Sequence, residues 1–193
     1  MMMAILPSPP PYPTLSPLFQ WEAGAIQPST WAGIRLIGLD VDGVMTQGEI
    51  IYSALGGETS RTFHVKDGQG IAWVLKAGIE VAIVTAGDNP CTTQRADTLQ
   101  IKHLFQGVKD KWGCFNTLRE SLGIPWEACA YMGDDKPDIP VIRACVEAGG
   151  IGACPVDAVP EVQQAVNWRS QFGGGKGAIR EMTALILAHK TQS

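Results

Sequence analysis

The chain has 193 residues, 45% of them apolar and 18% charged, which suits one medium-sized globular domain with room for a sizeable core. Its net charge of −4 excludes a general attraction to nucleic acid or to an acidic membrane surface, so basic groups are expected to act locally on an anionic substrate. The five cysteines include no Cys-x-x-Cys, which argues against a disulfide framework or a zinc site, and no apolar run is long enough to cross a bilayer.

Residues 1–30 stand apart in composition. Pro7, Pro9, Pro10, Pro11, Pro13, Pro17 and Pro28 oppose helix, so a disordered or polyproline-like extension is expected, with the folded domain running over 31–193. No basic residue precedes Arg35, and a secretory signal is not expected. From Trp31 onward, short apolar runs alternate with helical patterns. The apolar strand from Ile34 ends at Asp40, and Gly48–Val65 reads as a hairpin around Leu55-Gly56-Gly57. A helix over Gly70–Ala77 follows, with Asp67 placed to start it and Gly78 to stop it in a left-handed cap. The spacing then predicts strand Ile79–Val84, a helix near Thr92–Leu99, strand His103–Phe105, helix Lys111–Leu122, strand Ala128–Met132, helix Asp138–Ala148, strand Gly150–Ala153 and helix Ala178–His189. This alternation implies an α/β fold, a doubly wound parallel sheet with helices on both faces.

Four polar signals stand at the ends of apolar runs or at a helix start: Asp40-x-Asp42-Gly43, Thr85, Lys111, and Gly133-Asp134-Asp135-x-x-Asp138. In an open parallel sheet, residues at the carboxyl ends of strands converge on one crevice. Side chains alternate along a strand, so Asp40 and Asp42 leave it on the same side, where two carboxylates need a cation between them or a shared proton. Mg²⁺, which takes one or two carboxylates plus water and substrate phosphate, would supply that cation. An Asp-x-Asp-Gly alone is more often a strand-end cap, and a Lys opening a surface helix is usually solvated; the weight lies in the four signals sharing one address. Gly173-Gly174-Gly175-Lys176-Gly177 lacks the spacing and the Ser or Thr of a phosphate-binding Walker loop. His64, His103 and His189 suit packing or surface roles.

This ordered set resembles the haloacid dehalogenase-like phosphatases over roughly Gly33 to Lys190. The segments His64–Gly70, Leu104–Gly107 and Gly174–Met182 are similar to those of the 3-deoxy-D-manno-octulosonate 8-phosphate (Kdo 8-phosphate) phosphatases. The resemblance implies a Rossmann-like core with a β-hairpin flap and no cap domain, a cytoplasmic homotetramer, and Mg²⁺-dependent hydrolysis of a sugar-acid phosphate through a phosphoaspartate. It makes Asp40 the nucleophile, Asp42 the general acid and base, Thr85 and Lys111 the phosphate holders, Asp40, Asp42 and Asp134 the metal ligands, and Lys66, Lys176 and Arg180 contacts to the sugar acid. Asp138 is expected behind the metal or as a helix cap. One departure bears on the sugar: where Kdo-type sequences have Thr-Gly-Arg and nonulosonate 9-phosphate phosphatases Thr-Gly-Glu, this chain has Thr85-Ala86-Gly87. A nonulosonate 9-phosphate phosphatase is therefore the first alternative and a silent oligomerisation domain the second; a signalling receiver domain has the wrong motif order.

Overall fold

The computed structural model describes residues 26–52, 54 and 58–190. Residues 1–25, where most of the Pro-rich stretch falls, and the Leu55-Gly56-Gly57 turn lie outside them. In chain order the elements are α1 (Pro28–Gly33), β1 (Leu36–Leu39), β2 (Ile51–Tyr52), β3 (Glu58–Ser60), α2 (Val65–Lys76), β4 (Glu80–Val84), α3 (Pro90–Leu99), β5 (His103–Phe105), α4 (Lys111–Ser121), β6 (Cys129–Met132), α5 (Ile139–Glu147), β7 (Ile151–Cys154), α6 (Pro160–Gln163), β8 (Trp168–Arg169) and α7 (Ala178–Lys190). Six strands form one sheet in the order β5-β4-β1-β6-β7-β8, every pairing parallel, while β2 and β3 form a separate antiparallel hairpin. The doubly wound α/β reading holds.

The sheet divides two apolar layers because neighbouring residues of a strand face opposite ways. From β1, Ile37 and Leu39 join a core with Trp31, Ile71 and Val74 of α2 and the apolar face of α7, whereas Leu36 joins Phe115 and Leu118 of α4 and Val141, Ile142 and Cys145 of α5 on the other side. Gly38 lets Tyr131 and Phe115 lie against the central strand, where a Cβ would collide with both rings. Reversal at position 78 takes the left-handed backbone that glycine permits, φ 78°, as expected.

Four local expectations are corrected. Pro28 does not prevent helix: it occupies the first turn of α1, where a missing N–H costs nothing. That helix is anchored by Trp31, 2% exposed, which meets Trp168 edge-on at 5.7 Å and stacks on His189 at 6.5 Å. Lys190 Nζ donates to the carbonyls of Ala32 and Ile34, both at 3.2 Å, and ties α7 to the end of α1. Asp67 does not start α2, which begins at Val65. Its buried carboxylate instead accepts from the backbone N–H of Gly177 at 3.2 Å and of Arg180 at 2.8 Å, so it caps α7 from across the molecule. The helix expected to start at Asp138 opens with a 3₁₀ turn over Lys136–Asp138 before α5. Finally, α6 and the edge strand β8 were not anticipated.

Candidate active site

Every strand-end signal opens into one cleft of ≈240 Å³ lined by Asp40, Asp42, Gly48, Thr85, Ala86, Gly87, Lys111, Asp134, Asp135, Pro137 and Asp138. Hollows of ≈460 and ≈850 Å³ lie elsewhere on the surface, away from these groups. Asp40 is held at the end of β1 by its N–H, which donates to Met132 O at 3.1 Å. Gly43 turns the chain away with φ 78°; a Cβ there would run into the Asp134 carboxylate. The Gly-rich tail braces this turn: Gly175 N–H donates to Val44 O at 2.9 Å, and a Cβ on Gly174 would strike the Gly43 carbonyl. Gly173–Gly175 are thus buried, and Gly174 and Gly175 brace this strand-end turn.

Lys111 enters from α4. Asp110 caps that helix by accepting from Gly113 N–H at 2.9 Å, and the next residue is thereby turned inward, 4% exposed. Its ammonium lies 3.0 Å from Asp40 Oδ1 and 2.8 Å from Asp138 Oδ1, while Lys109 stays on the surface. Burial pulls the Lys111 pKa down, but Asp40 and Asp138 outweigh it and hold the value above the ordinary one. Asp138 also accepts from Tyr131 Oη at 3.0 Å and, weakly, from Asp135 N–H at 3.5 Å. It is the lysine's fixed counter-charge, a role that no local pattern in the sequence reveals.

Among the described residues, carboxylate oxygens of Asp40, Asp134 and Asp138 lie within 4.8 Å of one another. Burial, then the nearby Asp138 charge, pushes Asp40 up to about 6 against the pull of Lys111. Burial, then Asp40 and Asp138, pushes Asp134 up to about 7. A hard, all-oxygen donor set that repels itself this way fits a divalent cation such as Mg²⁺. With Asp138 committed to Lys111 and Tyr131, the ligands best free to hold it are Asp40 and Asp134. Asp42 does not join the cluster. Its carboxylate is ion-paired with Arg61 instead.

Thr85 sits at the end of β4, its backbone N–H bonded to Phe105 O at 3.0 Å and its Oγ1 accepting from Gly87 N–H at 3.2 Å. Lys66, Lys176 and Arg180 are not brought into this cleft within the chain. Lys66 and Lys176 are exposed, and the Arg180 guanidinium lies 3.8 Å from the centre of the Trp73 ring, a cation–π contact. Arg61 was missed because it sits in a hairpin stem without helical or strand-end patterning.

A parallel doubly wound sheet whose central strand ends in Asp-x-Asp-Gly, with a Thr and a second acidic cluster on neighbouring strand ends and a Lys from the start of a following helix, defines a haloacid dehalogenase-like phosphatase. No protein-family model matches this sequence. The chain is 41% identical over 154 residues to the 3-deoxy-D-manno-octulosonate 8-phosphate phosphatase of Escherichia coli K12, covering 80% of this chain and 79% of that one. It is 38% identical over 161 residues to the same phosphatase of Haemophilus influenzae, covering 83% and 86%. Among solved structures, the Moraxella catarrhalis phosphatase of that name, in complex with magnesium, phosphate and the sugar acid, is similar with a TM-score of 0.80 and 34% identity over 86% of this chain and 92% of that one. The Yersinia pestis phosphatase gives 0.80 and 36% over 86% of each. The chain belongs to the 3-deoxy-D-manno-octulosonate 8-phosphate phosphatase family.

Proposed function

We propose that this chain hydrolyses 3-deoxy-D-manno-octulosonate 8-phosphate to the free sugar acid and inorganic phosphate, with Mg²⁺ as cofactor, through a phosphoaspartate on Asp40. The observation that carries the reading is the buried triad in which Lys111 bridges Asp40 and Asp138, with Asp134 completing an acidic cluster beside the strand-end turn. Mg²⁺, held by Asp40 and Asp134, would neutralise the repulsion between the carboxylates and the phosphate dianion. Lys111 keeps Asp40 ionised at the strand end, so an Asp40 oxygen can attack phosphorus and split one hard hydrolysis into two easier transfers. The Thr85 hydroxyl and the Lys111 ammonium hold non-bridging phosphate oxygens, where charge must be stabilised throughout. Asp42, half-exposed beside the cleft, gives its proton to the leaving sugar oxygen and then takes one from the water that attacks the phosphoaspartate.

The proposal extends to a cytoplasmic homotetramer in which Lys66, Lys176 and Arg180 meet the sugar acid at a subunit boundary. Among the described residues no helix is long and apolar enough to cross a membrane, and the five cysteines are free thiols. The hairpin edge exposes Ile51 at 46% and Tyr52 at 72%, which favours burial against another copy. Gly87 keeps a nonulosonate 9-phosphate in contention, since it lacks the side chain that separates the two substrate groups. Comparing kcat/KM for the two sugar phosphates and for p-nitrophenyl phosphate tests the reading. Preference for the eight-carbon sugar acid is expected; a nonulosonate preference overturns the sugar, and an aryl phosphate matching the sugars overturns a substrate-shaped pocket.

A further inference from the structure

Arg61 follows β3 and brings the hairpin to the edge of the catalytic cleft. Its side chain is 4% exposed and its Nη1 pairs with Asp42 Oδ1, whereas the Asp42 side chain keeps 38% of its surface. Residue 87, beside this pair, is a glycine. A Cβ built on Gly87 would lie 3.3 Å from Asp42 Oδ2, 3.6 Å from Thr85 Oγ1 and 3.9 Å from Arg61 Nη2, so a long side chain there would emerge where the guanidinium now stands. The two oxygens of Asp42 are therefore differently occupied: Oδ1 faces the guanidinium from the hairpin, and Oδ2 faces Gly87, which lines the cleft.

We propose that Arg61 is a positioning residue for the leaving-group step, reaching from the hairpin past Gly87 to fix the Asp42 carboxyl with Oδ2 aimed at the scissile ester oxygen. A half-exposed carboxyl on a turn has several rotamers within reach, and one planar guanidinium holding one oxygen selects among them. The proton balance is simple. The negative charge of the bound phosphate dianion beside Asp42 favours the protonated carboxyl over the ion pair; Oδ1 then accepts from the guanidinium as a carbonyl oxygen, and Oδ2–H passes its proton to the sugar oxygen as the P–O bond breaks. The same Oδ2 then receives a proton from the attacking water. This inference rests on the proposed phosphatase mechanism and adds to it the group that orients its acid.

The experiment compares two leaving groups in the full-length, Mg²⁺-loaded protein. A sugar alkoxide needs protonation as it leaves; p-nitrophenolate does not. Arg61→Ala is expected to lower kcat for Kdo 8-phosphate by about 10²-fold, the scale of a misplaced catalytic group, with KM changed by less than about threefold. Its kcat for p-nitrophenyl phosphate is expected to fall by less than about threefold. Arg61→Lys should recover part of the sugar-phosphate rate, and adding Gly87→Arg to Arg61→Ala should recover part by supplying a guanidinium from the other side. Equal losses on both substrates, or none on either, overturn the proposal. A wild-type protein that hydrolyses another alkyl sugar phosphate but not Kdo 8-phosphate overturns the substrate assignment instead, and the alkyl-to-aryl comparison on that sugar still decides Arg61.

Discussion

Replacing Asp67 tests how the two ends of the domain are joined. Its carboxylate accepts from Arg180 N–H at 2.8 Å and Gly177 N–H at 3.2 Å, linking α2 to the first turn of α7 across more than a hundred residues of chain. Asp67→Ala leaves those two donors, one buried and one part-buried, without an acceptor. At about 1–3 kcal/mol for each unsatisfied group, partly relieved by water entering the gap, the expected cost is about 3 kcal/mol. In a domain of this size that lowers Tm by roughly 6–12 °C. Asp67→Asn keeps a side-chain oxygen and should lose about 1 kcal/mol or less. The sign of the pH effect follows from burial, which outweighs the hydrogen bonds and raises the folded pKa of Asp67 above 3.8. Between those two values the folded state binds more protons than the unfolded one, so the wild-type advantage over Asp67→Asn is full below the unfolded pKa and shrinks as pH rises through the folded one. Denaturant titrations of the three proteins at two pH values measure this. A loss below about 0.5 kcal/mol for Asp67→Ala, or an Asn variant as damaged as the Ala one, refutes the capping role.

Other outcomes follow from the same contacts. With Asp40 raised to about 6 and Asp134 to about 7, the metal-free fold takes up protons as pH falls toward the unfolded value of 3.8. These two groups therefore cost stability as pH rises across that window, and Mg²⁺ should raise Tm more at about pH 8 than at about pH 5.5; equal increments contradict the assigned ligands. Trp31→Ala, removing a buried ring packed on Trp168 and His189, should cost about 3–5 kcal/mol in chemical denaturation, whereas a surface-like loss under about 1 kcal/mol would remove α1 from the domain. Light scattering should give a tetramer, with Tyr52→Arg shifting it to smaller species; a fully active wild-type monomer would refute the hairpin's role.

What the sequence reveals of this protein depends on how local each signal is. Asp40, Thr85 and Asp134 are legible because each ends an apolar run, and strand ends in a parallel sheet share one rim. Lys111 is legible only through the family resemblance, since a Lys at a helix start is usually solvated, and its pairing with Asp138, 27 residues on, is not legible, because only the packing of α4 against the turn that precedes α5 joins them. Asp67 resembles a local cap in a window of a few residues, yet the N–H groups that donate to it are at the start of α7, Gly177 and Arg180. Arg180 carries a charge suited to a sugar acid, and its stacking on Trp73 within the chain is a contact no local pattern marks. Strand β8 is two residues long and pairs only at the sheet edge, too short for any periodicity to mark. Arg61 acquires meaning only beside Gly87 and Asp42, the three residues coming from three separate segments.

The central claim is that Asp40 is phosphorylated in every catalytic cycle. Acid-quenching the Mg²⁺-loaded enzyme during turnover of Kdo 8-phosphate and mapping the modified peptide by mass spectrometry tests it most directly. The account predicts one phosphoryl group on the peptide carrying Asp40, absent in Asp40→Asn, together with loss of nearly all turnover in that variant. An Asp40→Asn enzyme that keeps a substantial fraction of the wild-type rate, or a phosphoryl group found on another residue, would contradict it.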